Sequence, residues 1–235
     1  MKEHKNRWSI TSDKFLTEEQ VAALLELLTQ GRDLAIARGN NAQGIRDYYT
    51  LRALLESGLR VFEFCALVNS DFNGHKLTVQ HGKGNKRRTV LLTKGTALML
   101  KEWQTVKLKL GLDSSLSGPM FPSRYNRHYT TRGVQKRVKE IFWVLRFSEQ
   151  LSVHSLRHTY CSMLLASGKV GLATVKENLG HHSIAVTNLY AHAVGDLSGV
   201  ELYSDGSSYN PVFSELEPPK PMSKAFKPIA SFLKK

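Results

Sequence analysis

Cysteine is scarce in this chain, with only Cys65 and Cys161 among 235 residues. Neither stands in a C-x-x-C pair, which argues against a disulfide framework or a zinc ribbon and fits a reducing compartment. No apolar run approaches the roughly 20 residues that a membrane span requires. The opening Met1-Lys2-Glu3-His4-Lys5-Asn6-Arg7 lacks the apolar stretch of a secretory leader. The cytoplasm or nucleoid is the expected place of work, with no membrane partner. Acidic residues are also in deficit, 20 against 33 Lys and Arg, giving a formal charge of +13. Such an excess attracts polyanions, of which nucleic acid is the commonest, although a basic solvated surface accounts for charge alone equally well. What is present suffices for folding: at 41% hydrophobic residues the chain can bury a core in one domain, or in one domain with appendages.

No internal repeat is visible. The polar residues 1–14 are expected to be loose. Thr17 and Gln20 match a capping box, and Val21, Leu24, Leu25 and Leu28 follow at helical spacing. Gly31 is the expected stop, with a loop over residues 32–42. A second helix is predicted over 43–57, with Tyr48, Leu51, Leu54 and Leu55 inward and Gly58 at its end. The period then changes from helix to strand. Asn73-Gly74 is a hairpin dipeptide, Leu77 and Val79 alternate with polar neighbours, and Gly82 to Lys86 reads as a second turn before a strand over 88–92. Helices resume over 94–110, 131–144, 155–167 and 174–179, the third carrying a stripe of Leu156, Tyr160, Met163 and Leu164. Ser183 can cap one more helix over 184–191. The fold class is therefore α+β, mostly helical with a small three-stranded antiparallel sheet. Residues 204–222, rich in Gly, Ser and Pro, read as a linker into a tail through residue 235. That leaves 15–203 as the folded domain.

Several polar clusters stand out against this pattern. Arg60 follows a helix end, and Glu63 three residues later could aim it at an anion, or the two could form a simple surface ion pair. Gly82-Lys83-Gly84 sets a lysine at a turn of flexible neighbours, yet it lacks the remaining residues of a nucleotide-binding P-loop. Lys86, Arg87 and Arg88 add charge beside it and would meet phosphates. His154 and Arg157, three apart at a helix start, share a face where a phosphate could bind; a capped helix start with incidental polar residues explains them as well. His181 and His182 invite a metal, but adjacent side chains rarely chelate one ion and no carboxylate or thiol accompanies them. Tyr190 is one of eight tyrosines, most of which are expected simply to pack.

Their order in one chain carries more weight than any single cluster. Glu56-Ser57-Gly58-Leu59-Arg60-Val61-Phe62-Glu63, Gly82-Lys83-Gly84-Asn85-Lys86, His154-Ser155-Leu156-Arg157-His158-Thr159, and Leu179-Gly180-His181-His182-Ser183 through Tyr190-Ala191-His192 closely resemble the tyrosine recombinase, or phage integrase, family over residues 15–195. The resemblance is to Xer-type and phage integrase catalytic domains. It implies that Tyr190 attacks a DNA phosphate to form a 3′-phosphotyrosine. Arg60 and Arg157 would stabilise the phosphorane, Lys83 would protonate the leaving 5′ oxygen, and His154 would assist deprotonation of Tyr190. His181 would bond the phosphate and Glu63 would orient Arg60. It implies double-stranded DNA as partner, a homotetramer on DNA, and no cofactor or metal. A type IB topoisomerase or a binding-only integrase remnant are the alternatives. Family members usually carry a core-binding domain ahead of this one; with only about 14 residues there, affinity is expected to rest largely on the charge of one domain. Phe62 and Phe64 are expected in the core. Phe226, Ile229, Phe232 and Leu233 in the tail would cover either a neighbouring subunit or this chain's own core.

Overall fold

A computed structural model describes residues 14–39, 42–82, 86–167, 170 and 172–180. In chain order these form α1 (Glu18–Arg38), α2 (Ala42–Ser57), α3 (Val61–Ala66), β1 (Phe72–Asn73), β2 (Lys76–Val79), β3 (Arg88–Leu91), α4 (Lys94–Lys109), α5 (Thr131–Val144), α6 (Val153–Ala166) and α7 (Leu172–Leu179). The expected fold class, mostly helical with one three-stranded antiparallel sheet, is the one found. The helix expected over 184–191, the linker and the tail lie outside the described residues.

Helix α2 is the centre of the domain and packs against α1, α4 and α6. Nearly all of it from Ile45 to Ser57 is buried, so its polar residues must find partners inside. They do so on three sides. Arg137 of α5 forks onto Asp47, with Nη2 to Oδ2 at 2.6 Å. Arg52 donates to Glu56 at 2.6 Å, and Thr96 of α4 donates to the other oxygen of Glu56 at 3.1 Å. On α4, Trp103 stacks on Tyr49 with ring centroids 4.7 Å apart and donates Nε1–H to the Met120 carbonyl. Lys107, fully buried, donates to Asn69 and to the Pro119 carbonyl, which ties the loop before α5 to α4.

The capping box at α1 forms as expected: Gln20 N–H donates to Thr17 Oγ1 and Thr17 N–H donates to the Gln20 side chain. The expected stop at Gly31 does not occur. α1 runs on to Arg38 and ends at Gly39, whose φ of 66° is the left-handed turn a helix end needs. The reason is packing. At Gly44, a Cβ would lie 2.3 Å from the Gly31 carbonyl oxygen, so α2 approaches the α1 backbone where a side chain on Gly44 would block it. The predicted loop over 32–42 is mostly this extra helical length.

The sheet has order β1-β2-β3, with Phe72 opposite Leu77, Leu77 opposite Val90 and Val79 opposite Arg88. Leu77, Val79 and Val90 point into the core. α5 matches its predicted limits, and α6 buries Leu156, Tyr160 and Leu164 from the predicted stripe, with Met163 partly buried. Phe64 is buried at 1% exposure, as expected, but Phe62 is 42% exposed. α3 is only six residues long and turns Val61 and Phe64 inward, which leaves position 62 on its outer side.

The chain at residues 14–16 lies along α6. Leu16 N–H donates to Thr159 Oγ1 at 2.9 Å. Beside it, burial first and then the positive charges of Arg157, His154 and Lys14 push the His158 imidazole down to about 4. The native chain therefore holds His158 neutral where an unfolded chain, titrating near 6.5, takes up a proton.

Two expected outcomes follow from this packing. Gly44→Ala should destabilise the fold by about 1–3 kcal/mol, since backbone must move to admit the methyl group. Gly31→Ala, whose Cβ meets no described atom within 4 Å, should stabilise it by up to about 1 kcal/mol through helix propensity. Urea unfolding of the two variants checks the opposite signs. The second outcome concerns acid. The stability contribution of neutral His158 is complete above pH 6.5 and is lost as pH falls towards 4, by about 1 kcal/mol per pH unit below 6. Thermal melts from pH 7 to 4.5 should fall less steeply for His158→Gln than for the unsubstituted chain.

Candidate active site

The site begins where α2 ends. Gly58 has φ of 61°, and a Cβ there would lie 2.3 Å from the Tyr160 ring, so only glycine turns the chain at this place. The turn delivers Arg60 to the residue just before α3, in extended conformation. Glu63, one turn on and buried, accepts from the Arg60 backbone N–H at 2.8 Å and from its guanidinium Nη1 at 3.0 Å. The ion pair suggested by the sequence is thus a built element that fixes both the main chain and the side chain of Arg60.

Glu63 has a second partner. Arg88, at the start of β3, places Nη1 2.6 Å from Oε1 and Nη2 2.9 Å from Oε2, a parallel fork on the carboxylate. Burial pushes the Glu63 carboxyl up. The hydrogen bonds from Arg88 and the Arg60 amide, with both arginine charges, outweigh burial and hold it below the usual carboxylate range. Glu63 is therefore an anion held between two cations.

Arg157 reaches the same place from α6. It is buried, and its two terminal nitrogens donate to main-chain carbonyls of Gly58 and, at 2.6 Å, of Leu179. Arg60 Nη2 donates to the carbonyl of Gly180 at 3.4 Å. Two guanidiniums separated by almost a hundred residues thus converge on one turn after α2 and one helix end after α7. His154 stands exposed on the first turn of α6, one turn before Arg157.

The structure brings Arg60, Glu63 and Arg157 together, with His154 on the helix that supplies Arg157. Lys86 and Arg87 are exposed beside the turn, as a role against phosphates requires. Arg88 is placed differently from them: its guanidinium is turned inward onto Glu63, although the sequence grouped it with the exposed basic turn. Lys83, His181 and Tyr190 lie outside the described residues. Gly180, the residue that precedes His181, ends α7 at the Arg60 guanidinium. The inward turn of Arg88 had a signal in the sequence. Along β3, Thr89 and Leu91 are exposed and Val90 is buried, so alternation puts Arg88 on the inner face with Val90.

Comparison with known proteins gives the chain a family and a shared fold. The family model described as "Phage integrase family" matches residues 14–195. The chain is 31% identical over 148 residues to tyrosine recombinase XerC of Caldanaerobacter subterraneus subsp. tengcongensis, covering 63% of this chain and 41% of that protein. It is 33% identical over 150 residues to XerC of Xanthomonas axonopodis pv. citri, covering 63% and 47%. The chain thus spans about half the length of the curated relatives it matches. Its fold is shared with the crystal structure of XerA recombinase, at a TM-score of 0.61 and 24% identity over 76% of this chain and 60% of that one. It is shared also with XerH recombinase bound to its difH substrate, at a TM-score of 0.56 and 24% identity, over 76% and 50%. By its sequence over residues 14–195, the chain belongs to the phage integrase family.

Proposed function

We infer that residues 15–203 are the catalytic domain of a site-specific DNA recombinase, which cuts and rejoins strands through a 3′-phosphotyrosine on Tyr190. The observation that carries this reading is the convergence of Arg60 and Arg157 at the end of α7, directly before His181. A guanidinium pair fixed in place before substrate arrives is suited to a phosphate whose equatorial oxygens gain charge during transfer. In this reading Arg60 and Arg157 hold the non-bridging oxygens, with His181 adding a hydrogen bond. His154 assists removal of the proton from the Tyr190 hydroxyl, whose pKa is ordinarily near 10. Lys83 returns a proton to the departing 5′ oxygen. Bond energy is kept in the phosphotyrosine, so rejoining needs no nucleotide. The charge stabilisation that metal ions provide elsewhere is assigned to the cationic side chains.

The relatives support the assignment of substrate. XerH was solved on difH DNA, and the Tn1549 transposon integrase on transposon-end DNA. For this chain we propose double-stranded DNA, met by the exposed Lys86 and Arg87 and the overall charge of +13. We further propose a homotetramer on DNA, with the tail from residue 222 covering a neighbouring subunit. The cytoplasm, at the nucleoid, is the proposed place of work; among the described residues no helix is long and apolar enough to cross a membrane.

A nicked suicide substrate, which traps the cleaved strand on the protein, tests the reading. The unsubstituted chain should give an SDS-resistant DNA adduct and Tyr190→Phe none. Arg60→Ala should slow adduct formation by about 100–1,000-fold, the usual range for a lost transition-state donor. Equal adduct from the Tyr190→Phe variant would overturn the nucleophile. Plasmid relaxation without exchange between two sites would favour a topoisomerase instead.

A further inference from the structure

An arginine paired with a glutamate makes a poor anion receptor. The carboxylate that aims the guanidinium also cancels its charge, and a neutral pair attracts a phosphate only as a dipole. Arg60 and Glu63 would be such a pair if nothing else touched them. Arg88 changes the sum. Its fork takes both Glu63 oxygens, at 2.6 and 2.9 Å, while one of those same oxygens holds Arg60 at 3.0 Å. Arg60, Glu63 and Arg88 together carry a net charge of +1, since two cations share one anion.

Position reinforces the charge argument. Arg88 is not at the edge of the sheet's turn but beneath it. A Cβ on Gly82 would lie 3.2 Å from Arg88 Nη1, and a Cβ on Gly180 would lie 3.0 Å from its Cδ and Nε. Gly82 N–H in turn donates to the Lys86 carbonyl at 3.0 Å and closes the base of the turn. β3 itself packs on α7. The Arg88 side chain therefore touches the turn after β2, the Glu63 carboxylate and the helix end that meets Arg60.

We propose that Arg88 is a positioning residue for strand cleavage, which clamps Glu63 so that Arg60 is aimed by a carboxylate yet remains part of a cationic unit facing the phosphate. Arg88 acts through Glu63 and does not touch DNA. The proposal rests on the reading of Arg60 as a phosphate ligand. It assigns to the third residue after the Gly-Lys-Gly-Asn turn a role in chemistry rather than in binding.

The test compares Arg88→Gln, Arg88→Lys and the double variant Arg88→Gln with Glu63→Gln in the full chain. Each is measured for single-turnover adduct formation on the suicide substrate, for DNA affinity by gel shift, and for Tm. Arg88→Gln should slow cleavage by about 10–100-fold, the range for lost support of a primary ligand, with affinity unchanged within about threefold. Arg88→Lys keeps the charge but loses the fork, and should lose less than about tenfold. The double variant should recover about tenfold over Arg88→Gln, because removing the uncompensated carboxylate restores the net +1. Cleavage by Arg88→Gln at the unsubstituted rate overturns the proposal. So does a loss of affinity in step with rate, which would make Arg88 a DNA contact. A double variant as slow as Arg88→Gln, with its Tm restored, overturns it too. Should Arg88→Gln fail to fold, the double variant is measured against the unsubstituted chain: cleavage within about tenfold of it is expected, and a larger loss with Tm restored overturns the proposal. Arg60→Ala, run alongside, separates the two levels: if it cleaves normally, the reading of Arg60 falls and takes this role with it. If Arg60→Ala is slow while Arg88→Gln is not, only the role of Arg88 falls.

Discussion

The hydrogen bonds from Arg157 to the carbonyls of Gly58 and Leu179 are the constraint on which the rest of the site depends. A buried guanidinium is expensive to desolvate unless its hydrogens find acceptors. Here the acceptors are backbone carbonyls freed by the ends of two helices, α2 and α7, so each need satisfies the other. The result is a tie among three helices that are distant in sequence. Because the tie is made by the same side chain that is proposed to meet substrate, folding and preparation of the site are one event rather than two.

Around that tie the electrostatics are arranged in opposition to ordinary surface chemistry. Glu63 is buried and ionised because two arginines hold it, and its presence orients Arg60 in both main chain and side chain. His158 is held neutral chiefly by burial, with the positive charges of Arg157, His154 and Lys14 adding to it.

Much of the fold was legible in the sequence, and the reasons for the exceptions are physical. Thr17 and Gln20, the limits of α5, the sheet and the position of Gly58 all rest on local chemistry that acts within a few residues. Gly31 and Phe62 were misjudged because tertiary contact decided them: α2 packs where Gly31 lies, and α3 is too short to bury both phenylalanines. Arg60, Glu63 and Arg157 were legible as candidates, but what brings them together was not. The two arginines meet through the neighbouring carbonyls of Leu179 and Gly180, which no residue type announces. Arg88 was hidden in plain view, its alternation with Val90 masked by the basic residues in front of it.

The bond from Arg60 to the Gly180 carbonyl spans 120 positions, and the one from Arg157 to Leu179 closes only after α7 has formed. A chain emerging from the ribosome therefore has its first arginine long before it has the acceptors that hold both guanidiniums in register. A nascent or truncated chain that stops short of residue 179 retains most of its core but not the assembled cation pair. In the proposed recombinase, late closure means that a half-made copy lacks the fixed grip on phosphate that cutting would require.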